Sequence, residues 1–187
     1  EAQADILLRE MLQKFETSLD KFLQDSNLTL TDNQYDALIS LTYNIGAGWM
    51  KDTRLSKLLQ SGNYTNNEIA SAIGIWCHVK ENGVTSIHNG LVSRRIAEIN
   101  VFLYGDYSGS DSGFCWVKFT SDKGSCERDI AFYETGSTCD PFFTAECDDG
   151  DVFAGWYTSD GEELTADMTV WQNLTVTARW QSEEFWY

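Results

Sequence analysis

The sequence predicts an α+β protein, an all-helical amino-terminal part followed by a small β-rich part. Three observations carry this. Apolar residues recur at three- and four-residue steps up to about residue 105. After residue 113, aromatic and β-branched residues crowd into short runs broken by turn residues. Between them lies Gly105-Asp106-Tyr107-Ser108-Gly109-Ser110-Asp111-Ser112-Gly113, with the composition of a flexible tether. Charge and cysteine change at the same place. The first 107 residues hold 13 acids and 9 bases, net −4, and the remaining 80 hold 16 acids and 4 bases, net −12. Only Cys77 precedes the tract, and four of the five cysteines follow it. The reading is therefore a helical domain over 1–106, a linker over 107–113 and a β-rich domain over 114–187.

In chain order, Leu7, Met11, Phe15, Leu19, Phe22 and Leu23 form one stripe of an amphipathic helix over 4–23. Thr31-Asp32-Asn33-Gln34 has the form of a capping box, with Tyr35, Leu38, Ile39, Thr42 and Ile45 continuing a buried stripe behind it. Gly46 and Gly48 stop that helix. Shorter helices are expected over 53–60, 67–76 and 91–104, separated by Ser61-Gly62-Asn63 and Glu81-Asn82-Gly83. In the second part, strands are expected over 114–119, 170–176 and 175–180. A β-rich unit of about 80 residues has a small core and gains from covalent staples. Cys115, Cys126, Cys139 and Cys147 are therefore expected to form two disulfides, in an oxidising compartment, with the pairing open. Their spacings are too wide for zinc knuckles, and Cys77 reads as a small buried hydrophobe.

Composition excludes several functions. No stretch approaches the ~18 apolar residues of a membrane span. The net charge of −16 opposes a broad nucleic-acid surface. His78 and His88 have no cysteine or carboxylate cluster beside them, so no metal and no cofactor are expected. Asn27-Leu28-Thr29, Asn63-Tyr64-Thr65 and Asn173-Leu174-Thr175 fit the N-glycosylation pattern.

One stretch of motifs is specific. Leu30-Thr31-Asp32-Asn33-Gln34-Tyr35-Asp36-Ala37-Leu38-Ile39-Ser40, then Tyr43-Asn44-Ile45-Gly46, is followed by Gly62-Asn63-Tyr64, Ile75-Trp76 and Gly90-Leu91-Val92-Ser93-Arg94-Arg95-Ile96-Ala97-Glu98. In order and spacing these resemble the phage-type lysozymes, the endolysin glycoside hydrolases, over about residues 1–105. Glu1-Ala2-Gln3-Ala4 with Leu7-Leu8 resembles the segment that enters the family's long interlobe helix. The resemblance implies a peptidoglycan-cleaving muramidase whose larger lobe forms one wall of the glycan cleft. It places Tyr43, Asn44 and Thr53 at substrate-binding positions. It also implies a buried arginine that pairs with the catalytic glutamate, with Arg94 the choice and Arg95 the adjacent alternative.

The family's catalytic glutamate, aspartate and threonine precede the segment that Glu1 matches, so the resemblance assigns no catalytic residue within these 187. Glycoside hydrolysis of this kind needs a general acid and a second group flanking the bond. Glu10, Glu16, Asp20 and Glu98 read instead as solvated or ion-paired carboxylates. The expectation is the larger lobe of a lysozyme without its acid.

Val152-Phe153-Ala154-Gly155-Trp156-Tyr157, then Leu174-Thr175-Val176-Thr177-Ala178-Arg179-Trp180, resembles the internalin-type B-repeat. That resemblance implies a small β-grasp module of secreted and cell-surface proteins. Its ligand surface would be a strand edge or the aromatics near Trp156 and Trp171. Two functions are thus expected to compete: a secreted, cell-surface-associated lysozyme acting on peptidoglycan strands, and a non-catalytic wall-binding or structural protein that reuses the lobe.

Overall fold

The computed structural model describes residues 2–182; Glu1 and residues 183–187 lie outside them. The fold is α+β. The chain divides into two compact units, Glu1–Thr65 with Ala72–Ser112, and Asn66–Ser71 with Gly113–Tyr187.

The first unit opens with α1 (Ala2–Ser26), whose apolar stripe buries Leu19 and Phe22 near its end. Nearer its start Ile6, Leu7, Leu8 and Met11 stay exposed. Thr31 starts α2 (Asp32–Ile45) in the expected capping box, its backbone N–H donating to Gln34 Oε1 at 3.1 Å. Ala37, Leu38, Leu41 and Thr42 form the buried face of α2. Gly46 ends the helix at φ +82°, a conformation open to glycine, with its N–H on Thr42 O. A 3-10 turn (Ala47–Met50) buries Trp49, whose Nε1 donates to Thr42 Oγ1 at 2.9 Å. Then come α3 (Arg54–Ser61), α4 (Asn66–Gly74), of which Ala72–Gly74 belong to this unit, and α5 (Asn89–Tyr104), which lies along α2.

Before α5 the chain forms a hairpin of β1 (His78–Glu81) and β2 (Val84–Ile87). Its tip is Asn82-Gly83, both at positive φ, the two-residue turn that matches strand twist. Sequence reading took these residues only as a break between helices. The Gly/Ser/Asp tract is held to this unit through Ser112. Asn100 Nδ2 donates to Ser110 O and Ser112 O, at 3.0 and 2.9 Å, and Tyr107 OH donates to Asp36 Oδ2 at 2.7 Å.

The second unit is built on β3 (Phe114–Thr120), β4 (Ser125–Cys126), β5 (Ile130–Glu134), β6 (Ala145–Glu146), β7 (Val152–Tyr157), β8 (Glu163–Leu164) and β9 (Leu174–Gln181). The main sheet runs β5-β3-β9-β7-β8, with β3 and β9 parallel at its centre and the other pairs antiparallel; β4 and β6 pair separately. Alternate residues Cys115, Val117 and Phe119 of β3 meet Tyr133, Trp156, Val176 and Ala178 in one core. The strand expected over 170–176 begins at Leu174, while Val170 is buried in the bend before it.

An edge strand exposes unpaired backbone groups, and here residues 66–71 cover them. Phe132 N donates to Ser71 Oγ at 2.9 Å, Ser71 Oγ donates to Phe132 O at 3.0 Å, and Glu134 N donates to Asn67 Oδ1 at 2.8 Å. The Asn67 amide also donates to Asp140 O at 2.8 Å.

Two expectations are corrected. No disulfide joins Cys115, Cys126, Cys139 or Cys147. Cys115 and Cys139 are core residues, the Cys115 sulfur lies 3.3 Å from Thr135 Oγ1, and the Cys147 thiol donates to Asp149 Oδ1 at 2.8 Å. The cysteines are thus consumed by packing and by bonds to oxygen. Trp156, expected beside a ligand surface, is fully buried, with Nε1 donating to Phe143 O at 2.7 Å.

Candidate functional site

The carboxy-terminal turn of α2 sets the geometry of the first unit's site. Its helical spacing turns Leu38, Leu41 and Thr42 inward and leaves Tyr43 and Asn44 on another face. Tyr43 is 42% exposed and stands edge-on to Phe15 of α1, with ring centroids 6.2 Å apart. The bare apolar side chains of α1 therefore lead along that helix toward Tyr43.

Asn44 is held from α5. Its Oδ1 accepts a 2.6 Å hydrogen bond from Nη2 of Arg95, a fully buried guanidinium. Of the two arginines, Arg95 is the buried one, and the Arg94 side chain is 39% exposed. Glu98 accepts from both sides, taking Arg94 Nε at 3.1 Å and Ser40 Oγ at 2.8 Å on Oε1. Arg95 Nε lies 3.0 Å from Glu98 Oε2 as an ion pair without hydrogen-bond alignment. Arg95 Nε, Arg95 Nη1 and Glu98 Oε2 consequently have no hydrogen-bond partner among the described residues. Burial pulls the Arg95 guanidinium below its usual value, and the Glu98 carboxylate opposes that shift. Removing either partner would strand a buried charge, at a cost of about 3–5 kcal/mol.

Two concavities lie in this unit, one of them lined by the network's own Ser40, Arg94 and Glu98. Ile45, Ile75, Trp76 and His78 line one of about 420 Å³, where His78 Nδ1 lies 2.9 Å from Ile75 O. An aromatic and aliphatic floor suits the C–H face of a sugar. The other, about 460 Å³, lies between α2 and α5. Ala37, Ala97 and Val101 supply apolar lining, while Asp36, Ser40, Arg94, Glu98 and Tyr107 supply polar groups. A half-exposed guanidinium at such a place can take a carboxylate on its fork.

Of the residues expected at the site, the structure brings Asn44 and Arg95 together and places Tyr43 next to Asn44. Arg94 joins them through Glu98. Thr53 instead caps α3: its Oγ1 accepts from Ser56 N at 3.2 Å and donates to Trp49 O at 2.5 Å, and it bonds to none of the others. Sequence reading missed Glu98 and Ser40 as members. The spacing of Glu98, three and four residues after Arg95 and Arg94, was the available signal for Glu98; no local pattern marks Ser40. Among the described residues, no three His, Cys, Asp or Glu side chains gather where they could hold a metal. No described helix is long and apolar enough to cross a membrane.

Comparison with known proteins centres on this same unit. The phage lysozyme family profile matches residues 1–98. The endolysin of Bacillus phage B103 is 37% identical over 106 residues, covering 57% of this chain and 37% of that protein. The endolysin of Acyrthosiphon pisum secondary endosymbiont phage 1 is 37% identical over 101 residues, covering 54% of this chain and 65% of the relative. Among solved structures, the endolysin from Escherichia coli O157:H7 phage FAHEc1 superposes with a TM-score of 0.51 at 33% identity, covering 57% of this chain and 64% of that one. The chain thus spans between about a third and two thirds of the length of these relatives. With the profile spanning α1, α2 and most of α5, and with the Asn44–Arg95–Glu98 network inside the matched residues, the chain belongs to the phage lysozyme family.

Proposed function

We propose that residues 1–112 form the larger lobe of a peptidoglycan-cleaving muramidase of the endolysin kind, with catalytic carboxylates supplied from outside these 187 residues. The observation that carries this reading is the bare apolar stripe of α1. Ile6, Leu7, Leu8 and Met11 are 43–60% exposed on an amphipathic helix whose buried residues, Leu19 and Phe22, lie toward its other end. Exposed apolar runs of this kind mark a missing partner surface, here the small lobe that would close the second wall of a cleft. Tyr43, Asn44 and Trp76 would line the glycan side of the existing wall. Arg94, in the concavity between α2 and α5, would take the catalytic glutamate on its guanidinium, with Glu98 holding its Nε from behind; Arg94 is half-exposed, where the resemblance implied a buried arginine. Thr53 would reach the glycan only at its capping position.

The second unit would attach the enzyme to a surface outside the cell. Two antiparallel pairs meeting at the parallel β3–β9 pair support the β-grasp, B-repeat-like reading of this module; the proposed domain limits near 1–106 and 114–187 leave residues 66–71 to pack with the second unit. Tethering would raise the lobe's effective concentration at the wall without adding a contact to the cleaved bond.

The test uses purified cell walls. Residues 1–187 alone are expected to bind sacculi without clearing them, and the Tyr43→Ala, Asn44→Ala double variant should bind at least tenfold more weakly. Placed behind the catalytic segment of a full-length relative, the same chain should clear walls, and Arg94→Met should cut the rate at least a hundredfold. Clearing by residues 1–187 alone that vanishes in Glu98→Gln would overturn the assignment. Absence of wall binding would favour a structural role instead.

A further inference from the structure

We infer that Trp171 is a sugar-stacking platform, the contact by which the second unit grips a neutral glycan. The inference rests on reading that unit as an attachment module, and names the group that does the attaching and the chemistry it takes.

Trp171 is 70% exposed, although tryptophan is among the largest apolar side chains and its burial would favour folding. It is nevertheless not loosely placed. A Cβ on Gly136 would stand 2.9 Å from its Cζ3 and 3.1 Å from its Cη2, so the ring lies directly on the glycine backbone. Gly136 is at φ +86°, where a side chain would be strained as well as obstructive. The turn beneath the ring is locked on both sides of Val170. Gly136 N donates to Val170 O at 2.8 Å, Val170 N donates to Ser137 O at 2.9 Å, and Ser137 N donates to Glu134 O at 2.9 Å. Val170 itself is buried, which anchors the adjacent Trp171. The result is an indole seated on a hydrogen-bonded turn, with one side on backbone and most of its surface in water. Such preorganisation lowers the ordering cost of a contact, which is what makes tryptophan effective at binding surfaces.

Charge selects the ligand. Residues 108–187 carry net −12, which repels polyanions such as nucleic acids or teichoic acids. An uncharged pyranose ring escapes that repulsion and presents an apolar C–H face to the indole. We therefore assign the platform to the apolar face of an uncharged pyranose in a glycan.

The whole chain would be tested for retention on purified sacculi and titrated with β-1,4-linked N-acetylglucosamine oligomers. Trp171→Ala should keep the wild-type melting curve, since the side chain is exposed, and lose at least tenfold in retention. Trp171→Phe should keep an intermediate fraction, and the oligomers should shift the wild-type tryptophan emission more than that of either variant. Equal retention by wild type and Trp171→Ala, with retention still lost in the Tyr43→Ala, Asn44→Ala variant, would overturn the platform and leave the lysozyme-lobe reading standing. Failure of every protein to bind sacculi would overturn both.

Discussion

Arg95 and Glu98 show how one pair of side chains can be costly and still retained. A fully buried guanidinium is tolerable because Glu98 neutralises it and Asn44 accepts from it, while Arg94 and Ser40 both donate to Glu98 Oε1. Glu98→Leu should therefore destabilise the first unit by about 3–5 kcal/mol in urea unfolding, by leaving Arg95 buried and unpaired. The Glu98→Leu, Arg95→Met double variant should recover much of that loss, and a loss equal to the sum of the single variants would contradict the coupling. Asp149 gives a pH-dependent counterpart. Its carboxylate accepts from the Cys147 thiol and then from Lys123, which hold it down to about 2 against an ordinary value of 3.8. The native contacts favour the ionised form, so their stabilisation is present above 3.8 and lost as the pH falls toward 2. Carbon-detected NMR titration should show the Asp149 midpoint rising in Cys147→Ala and, to a lesser degree, in Lys123→Met; an unmoved midpoint would refute the assignment.

At the scale of elements, β5 and residues 66–71 are the instructive pair. A strand at the edge of a sheet needs its outward N–H and C=O groups covered, and Ser71 and Asn67 do this with side chains that mimic a neighbouring strand. Ser71→Ala would leave Phe132 N–H and C=O without their partner in a buried place. The expected loss is about 1–3 kcal/mol in the second unit's unfolding, with amide exchange accelerating at Phe132 before the core strands β3 and β9. Unchanged exchange at Phe132 would show that the hydroxyl contributes little.

For the whole molecule, the division into Asn66–Ser71 with Gly113–Tyr187 has a direct consequence for dissection. A cut near residue 113 separates six helical residues from the unit to which they belong. Asn67 and Ser71 are buried and lose every partner named above. Truncation to residues 1–112 should leave α2 and α5 folded and fray the start of α4, seen as loss of exchange protection over 66–71. Full protection there would show that α4 stands without the second unit.

The helices, their caps and their ends were legible in the sequence because they depend on local physics. The 3.6-residue period, the Thr31–Gln34 cap and the glycine at residue 46 act within one or two turns. The family motifs were legible for the same reason, being strung along one stretch with their spacing intact. Which arginine is buried, and that Glu98 binds both, needed the packing of α5 on α2, since two adjacent arginines differ only in the face that the helix turns inward. The cysteines were misread because their number and crowding say nothing about what their sulfurs meet, and here they meet core side chains, a threonine and an aspartate. Trp156 and Trp171 look alike as sequence. Only the sheet decides that one is the core and the other stands in water, because burial is settled by strand neighbours far away along the chain.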